Sequence, residues 1–190
     1  IGIGYQALLV NTTGNDNVAI GMMPLASNIK GHCNVALGYQ SMFYNISGNT
    51  NVAIGLTALN KNTTGDANIA IGQQTIYTNT TGYRNIGLGY FALYSNTVGT
   101  YNLAIGSEAL RNNTGGTHNT AIGYRALYSN TSGVMNIAIG CNALLENTSG
   151  VVNIAMGFEA LNHNCTGCAN IAIGFETQFC RTSGIYNVAV

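Results

Sequence analysis

Two acidic side chains, Glu159 and Glu176, occupy equivalent places in consecutive copies of a sequence repeat. Paired carboxylates are common machinery for general acid–base catalysis. Other copies carry Gln, Thr, Arg or Asn at this place, which is typical of a solvated face. We therefore predict no catalytic residue and no enzymatic activity for this chain.

Two further pairs of ionisable side chains are also spaced by one repeat. They are Glu108 with Arg125 and Glu146 with His163. Residues one repeat apart lie side by side if the repeats stack, so both pairs are expected to meet as exposed ion pairs. Such pairs contribute less than about 1 kcal/mol to stability.

The chain contains five Cys with no regular spacing: Cys33, Cys141, Cys165, Cys168 and Cys180. Cys165-x-x-Cys168 looks like half of a zinc or redox site, but a structural zinc needs four ligands and no second such pair is present. We predict no metal and no cofactor. Either two of Cys165, Cys168 and Cys180 form a disulfide, or the three are small residues tolerated in turns.

Asn-x-Ser/Thr sequons recur along one edge of the repeat and are candidate glycosylation sites if the protein is secreted. They begin at Asn11, Asn45, Asn62, Asn79, Asn112, Asn130, Asn147 and Asn164. The alternative is structural, because Asn-Thr-Thr-Gly is good turn chemistry without any glycan.

The same edge carries a broken series of Thr that suggests a second function. Regular Thr arrays on a β-solenoid can organise water, so an ice-binding or glycan-binding edge is the alternative to a structural role. The series comprises Thr12, Thr63, Thr80, Thr97, Thr114, Thr131, Thr148 and Thr182, with Ile29, Ile46 and Cys165 interrupting it. Aromatic rings nearby either stack on sugars or pack between repeats; they are Tyr77, Tyr94, Tyr124, Phe158 and Phe175.

Composition excludes several function classes. Only 6% of the residues are charged and the net charge is zero, so no basic surface favours nucleic acid or anionic lipid. No apolar run reaches the ~18 residues of a membrane-spanning helix. Because 46% of the residues are hydrophobic, a chain with so few charges tends to associate.

The sequence repeats with a fixed 17-residue period. One Gly series runs from Gly4 to Gly174 and a second from Gly14 to Gly184. One Asn series is unbroken: Asn17, Asn34, Asn51, Asn68, Asn85, Asn102, Asn119, Asn136, Asn153, Asn170 and Asn187. A short fixed period means one supersecondary unit stacked on its neighbours. We interpret residues 1–190 as a single continuous solenoid, a segment of a longer chain.

The repeat predicts an all-β fold, a parallel β-solenoid of eleven 17-residue coils. Asn-Ile-Ala-Ile is typical of a short strand, and both Gly series are expected at corners. Coils would stack about 4.8 Å apart in register, which lets each amide of the Asn17 series bond to the amides above and below it in a ladder.

Alternation along the strand places the two β-branched residues on one face and the intervening Ala on the other. If the β-branched pair fills the interior, the Ala form a flat outer strip for self-association: Ala19, Ala36, Ala53, Ala70, Ala104, Ala121, Ala138, Ala155 and Ala172. The alternative is an Ala inside a narrow coil.

The segment Tyr-x-Ala-Leu, such as 124–127, breaks this alternation because its Ala and Leu are adjacent and both apolar. Either the chain bends here or the segment is a single helical turn. Helices about 10 Å wide cannot stack every 4.8 Å without fanning out. A bend is therefore favoured.

The Asn-x-Ala-Ile-Gly core with its Gly-bearing turn resembles the head repeats of trimeric autotransporter adhesins. The fuller Asn-Thr-Ala-Ile-Gly-Tyr-Arg-Ala-Leu-Tyr-Ser-Asn-Thr-Ser-Gly of 119–133 is similar to repeats in proteins labelled tail-fibre-like. The resemblance covers the whole chain. It implies a left-handed parallel β-roll, usually trimeric, that stands on a cell or virion surface and carries adhesion.

Together these observations predict a structural subunit of an extracellular fibre, filament or adhesin shaft or head. Its expected partners are copies of itself, in a trimer or filament, together with a host surface or glycan. We expect no nucleic-acid partner and no membrane insertion of this segment. Neither end shows a polar capping repeat, so the ends are expected to continue into more chain or to abut another subunit.

Overall fold

The computed structural model describes residues 1–178 and 183–190 and shows one parallel β-solenoid, as predicted. Within these two ranges, twelve strands form a single sheet in chain order. They are β1 (Gly2–Ile3), β2 (Val18–Ile20), β3 (Val35–Leu37), β4 (Val52–Ile54), β5 (Ile69–Ile71), β6 (Ile86–Leu88), β7 (Leu103–Ile105), β8 (Thr120–Ile122), β9 (Ile137–Ile139), β10 (Ile154–Met156), β11 (Ile171–Ile173) and β12 (Val188–Ala189). Equivalent residues of consecutive coils lie opposite one another, so Val52 pairs with Val35 and with Ile69.

The interior of each coil is narrow and holds few apolar side chains. In the coil that starts at Asn51, the apolar side chains of the interior are Ala53, Ala58 and Leu59, all with no exposed surface. The same three places are buried in the other complete coils of the cluster. Stacking therefore produces a thin apolar column instead of a broad core.

The predicted outer strip of Ala is wrong, and the alternative, an Ala inside a narrow coil, is what the structure shows. Ala19, Ala36, Ala53, Ala70, Ala104, Ala121, Ala138, Ala155 and Ala172 are all 0% exposed. Since the interior already contains a Leu and a second Ala per coil, two β-branched side chains on the strand would overfill it. The strand therefore turns its Ala inward and its β-branched pair outward, and the Ala cannot serve as a self-association surface.

The predicted bend between strand and turn is present. Ala58 N donates to Gly55 O at 3.4 Å and Asn62 N donates to Leu59 O at 3.3 Å, which closes two successive tight turns. Leu59 has φ +50°, in the left-handed region. Strand alternation does not continue through left-handed residues, so the adjacent Ala58 and Leu59 both enter the interior. No residue in the described ranges is helical, and hence no described helix could cross a membrane.

Three non-Gly residues in each coil adopt a left-handed backbone. In the coil that starts at Asn51 they are Thr57, Leu59 and Ala67, with φ between +50° and +55°. Each such residue costs on the order of 1 kcal/mol. Their N–H groups donate to carbonyls of adjacent coils at 2.9 Å, Thr57 and Ala67 toward the preceding coil and Leu59 toward the following one. Neighbouring coils thus hold a conformation that an isolated coil would not keep.

The two Gly series serve different purposes. Gly55, in the Gly4 series, has φ +133°, and a Cβ there would lie 2.6 Å from Gly72 O, so this series forms the predicted corners. Gly48, in the Gly14 series, has no positive φ, but a Cβ would lie 2.5 Å from Asn45 Oδ1. Apart from Gly184, this second series leaves room for buried Asn side chains and does not supply left-handed corners.

Candidate functional site

One regular surface is the outward face of the sheet, which we name the outer sheet face. It consists of the first and third residues of strands β2 to β11 and is two side chains wide. The first column contains Val18, Val35, Val52, Ile69, Ile86, Leu103, Thr120, Ile137, Ile154 and Ile171. The second contains Ile20, Leu37, Ile54, Ile71, Leu88, Ile105, Ile122, Ile139, Met156 and Ile173.

The outer sheet face is apolar along its whole length. Its residues are half-buried or exposed, and Ile20, Ile71 and Ile173 keep about 40% of their surface. Thr120 is the one polar side chain in the two columns, and neither column contains a charge. Aromatic residues continue the apolar surface beyond the corner Gly in several coils, including Tyr124 at 46% exposure and Phe158 at 41%.

The unbroken Asn series forms the ladder that in-register stacking leads us to expect. Asn102 Nδ2 donates to Asn85 Oδ1 at 3.1 Å and to Gly116 O at 2.8 Å. Its own Oδ1 accepts from Asn119 N and Asn119 Nδ2 at 3.1 and 3.2 Å. The same contacts recur from coil to coil in the described chain. Because these amides are buried, each bond replaces contact with water and holds one coil in register with the next.

A second Asn ladder, which the sequence did not lead us to predict, runs through the turn. Asn62 Nδ2 donates to Asn45 Oδ1 at 2.8 Å and to Gly65 O at 2.9 Å. Asn79 repeats both contacts one coil later. Both N–H groups of the amide nitrogen that would carry a glycan therefore already donate hydrogen bonds within the solenoid.

The glycosylation prediction is wrong for six of the eight sequons in the folded chain. Their Asn side chains lie inside the coil in the second ladder and have at most 1% exposure: Asn45, Asn62, Asn79, Asn130, Asn147 and Asn164. A glycan on any of these amides would have to break the ladder. Asn11 and Asn112 are only half-buried, so glycosylation there stays a prediction.

The Thr series on the turn edge is also a hydrogen-bonded ladder. Thr80 Oγ1 donates to Thr97 O at 3.0 Å, and Thr97 Oγ1 donates to Thr114 O at 3.0 Å. The described members from Thr63 to Thr148 all use the hydroxyl proton in this way. The hydroxyl protons therefore form hydrogen bonds between adjacent coils. Ice binding stays an untested alternative. Thr182 lies outside the described residues.

Aromatic rings on the opposite side of the bend stack between coils. Tyr77 and Tyr94 are parallel, with ring centroids 5.3 Å apart. Lys61 lies 5.2 Å from the centroid of Tyr77, and Arg111 lies 5.8 Å from that of Tyr94. Both outer ring faces are thus covered by cations. Of the two interpretations of these rings, packing between coils is the one that the contacts support.

The side chains of both predicted pairs are in contact. Arg125 Nε donates to Glu108 Oε2 at 2.7 Å, and this hydrogen bond raises the pKa of Arg125 above its ordinary value. His163 Nδ1 lies 2.7 Å from Glu146 Oε2. Glu159 accepts from Asn142 Nδ2 at 3.1 Å.

The described cysteines are free thiols: Cys33, Cys141, Cys165 and Cys168. No bond joins Cys165 to Cys168, and Cys180 lies outside the described residues. Within the described ranges, no three potential ligands come together in an arrangement that could hold a metal ion.

Sequence reasoning missed one concave surface, an open groove of about 490 Å³ beside the turn, lined in part by Asp66, Tyr83 and Arg84. The signal was the one place where an acid, an aromatic residue and a base occur at the ends of two consecutive repeats.

Comparison of the chain with models of protein families, with curated proteins and with solved structures finds no match.

Proposed function

We propose that this chain is a structural, non-catalytic segment of an extracellular fibre, filament or adhesin shaft or head, and that copies associate through the outer sheet face. The observation that carries the proposal is the pair of apolar columns along strands β2 to β11. A face of this kind in water is a binding surface, because monomeric proteins seldom expose large contiguous apolar patches.

The size of the outer sheet face suits a stable interface. Ten strands at about 4.8 Å span roughly 50 Å, and two columns of alternating side chains span roughly 14 Å. The product is about 700 Å², close to the ~800 Å² that each partner contributes to a standard interface.

The chemistry of the face favours a second copy of the same chain as the occupant. Neither column offers a charge for a charged partner, and the repeat presents the same surface at every coil. A face built mainly of Val, Ile and Leu is complementary to itself, so two copies can pack sheet on sheet, about 10 Å apart, with interdigitated side chains. A trimer would bring three such faces together around one axis.

The extracellular location rests on the resemblance to adhesin and tail-fibre-like repeats. The non-catalytic role is supported by the way polar groups are used. Asn102 and Thr97 bond along the solenoid, and Glu108 pairs with Arg125 one coil away. These contacts serve stacking and do not converge on a common point.

The experiment that tests the proposal is analytical ultracentrifugation of the chain over a wide concentration range, followed by cryo-electron microscopy. We expect a dimer, trimer or larger assembly whose cross-section shows rods joined through their flat faces. A strictly monomeric chain at every concentration would overturn the proposal. An assembly joined through the turn edges would retain the fibre role and refute the outer sheet face as its interface.

A further inference from the structure

The groove beside the turn lies where a column of equivalent residues passes from small side chains to large ones. Ala67, Arg84 and Tyr101 follow one another in consecutive coils, each just before a ladder Asn. Arg84 leans onto the next coil: its Nη1 donates to Tyr101 Oη at 2.7 Å, and its guanidinium lies 5.4 Å from the Tyr101 ring centroid. The space over Ala67 is left open, with Tyr83 and Asp66 in the adjoining column.

Charges of both signs line this groove without pairing with each other. Asp66 Oδ1 accepts from Asn49 N at 2.6 Å and from Asn49 Nδ2 at 3.1 Å, whereas its Oδ2 accepts from no described residue. Arg84 forms no ion pair with a described carboxylate. The groove therefore offers a free acceptor on one side and free donors on the other.

One aromatic ring in the groove is available for stacking. Tyr101 is covered on both sides, by Arg84 from the preceding coil and by His118, which stacks on it at 4.8 Å from the following coil. Tyr83 meets the Tyr101 ring edge-on, at 5.4 Å and 73°, and is 42% exposed. Tyr83 thus presents an apolar surface with a hydroxyl at its edge.

From this arrangement we propose that the groove binds a neutral sugar residue of a glycan. A pyranose presents an apolar C–H face to an aromatic ring and carries hydroxyls that both donate and accept. Its hydroxyls can donate to Asp66 and accept from Arg84, which are charge-assisted hydrogen bonds. An anion would be repelled by Asp66 and a cation by Arg84, so the groove favours a ligand without net charge, and the stacking surface of Tyr83 favours a sugar ring among such ligands. The volume falls within the ~300–1,000 Å³ typical of small-molecule sites.

The test uses a variant that fills the groove and is compatible with the backbone. Ala67 has φ +55°, and Tyr already occupies the equivalent place at Tyr101 (φ +57°) and Tyr186 (φ +56°). Ala67→Tyr should therefore fold while closing the groove. The matched control is Ala169→Tyr, the same change at the same place of the repeat (φ +55°) in a distant coil.

A second variant tests the acceptor. Asp66→Asn keeps the size of the side chain, and the same place of the repeat carries Asn natively at Asn15 and Asn49. It retains an oxygen for Asn49 N but removes the charge.

The measurement is saturation-transfer NMR and calorimetric titration with the methyl glycosides of glucose, galactose, mannose and N-acetylglucosamine, at up to about 10 mM, tenfold above a millimolar Kd. We expect at least one neutral glycoside to bind the unmodified chain. Affinity should fall at least tenfold in Ala67→Tyr, fall about tenfold in Asp66→Asn and stay unchanged in Ala169→Tyr. Circular dichroism verifies the fold of each variant. Absence of binding by all four probes, or equal binding by Ala67→Tyr, would overturn the assignment. Tighter binding of methyl glucuronide, titrated in parallel as a carboxylated comparison, would also overturn it.

Discussion

Charged residues introduced on the outer sheet face should dissociate the assembly that we propose without unfolding the solenoid. The variant we would make carries Ile71→Lys, Ile105→Lys and Ile139→Lys, all in the second column of that face. These positions are two coils apart, so the new ammonium groups would be separated by about 10 Å, and their mutual repulsion is roughly 0.4 kcal/mol per pair in water. That repulsion is too small to unfold the chain.

The expected effect on association is much larger. Full burial of an Ile side chain contributes about 1.5–3 kcal/mol. Ile71 is 39% exposed, and Ile105 and Ile139 are half-buried. Burial of the remaining exposed surface of each side chain on association would therefore contribute about 0.7 kcal/mol. A two-copy interface contains six of these side chains, so their replacement should weaken association by about 4 kcal/mol, which raises Kd about a thousandfold. Desolvation of the lysines would add to the loss.

The matched control places three lysines on the turn edge at the same two-coil spacing. Thr64→Lys, Val98→Lys and Ser132→Lys lie at exposed places equivalent to that of Lys30, so the backbone there already accommodates this side chain. Sedimentation velocity should show the control associated like the unmodified chain and the outer-face variant reduced to monomers. If the outer-face variant associated as tightly as the control, with the same circular dichroism, our assignment of the interface would be refuted.

Three further predictions concern stability, each measured by urea unfolding. Gly87→Ala should lower the free energy of unfolding by about 1–3 kcal/mol, because the new Cβ would lie 2.6 Å from Thr75 Cγ2; adding Thr75→Ala should recover part of this loss, and an additive double-mutant cycle would contradict the contact. Asn102→Ala should cost about 3 kcal/mol by leaving buried ladder partners unpaired, whereas Asn112→Ala, outside both ladders, should stay within about 0.5 kcal/mol. Val152→Asn should stabilise the chain by about 0.5–1 kcal/mol, because Val152 is an exposed β-branched residue at φ +59° and Asn tolerates that conformation.

The period alone was enough to predict the coil, the strand and the first Asn ladder, but not which strand face lies inside. Alternation separates Ala53 from its neighbours Val52 and Ile54 without saying which side is the interior. A usable signal was present in the variation between coils. The Ala place admits only Gly as a substitute, at Gly2 and Gly87, as a cramped interior requires, whereas the outer columns accept Thr120 and Met156, as a surface does.

The left-handed residues could not have been predicted from their types. Leu59, Ile76 and Phe91 have φ between +50° and +56°, and none of these residue types favours that region. Gly was expected at every sharp change of direction. The conformation is held by hydrogen bonds between coils: Leu59 N donates to Thr75 O and Ile76 N donates to Ala92 O, both at 2.9 Å. Hydrogen bonds between coils here override the usual preference of non-Gly residues for negative φ.

The narrow coil and the outer sheet face have a common cause. A coil this short, which also encloses two ladder amides, has room for two small side chains and one of the size of Leu, as in Ala53, Ala58 and Leu59. The two β-branched residues that make the strand favourable therefore have no place inside and must face outward. Each added coil contributes one more such pair, so the free energy of association grows in proportion to the number of coils that two copies align. In the assembly that we propose, repetition would thereby convert a weak contact per coil into a stable interface along a rod, a property suited to a fibre.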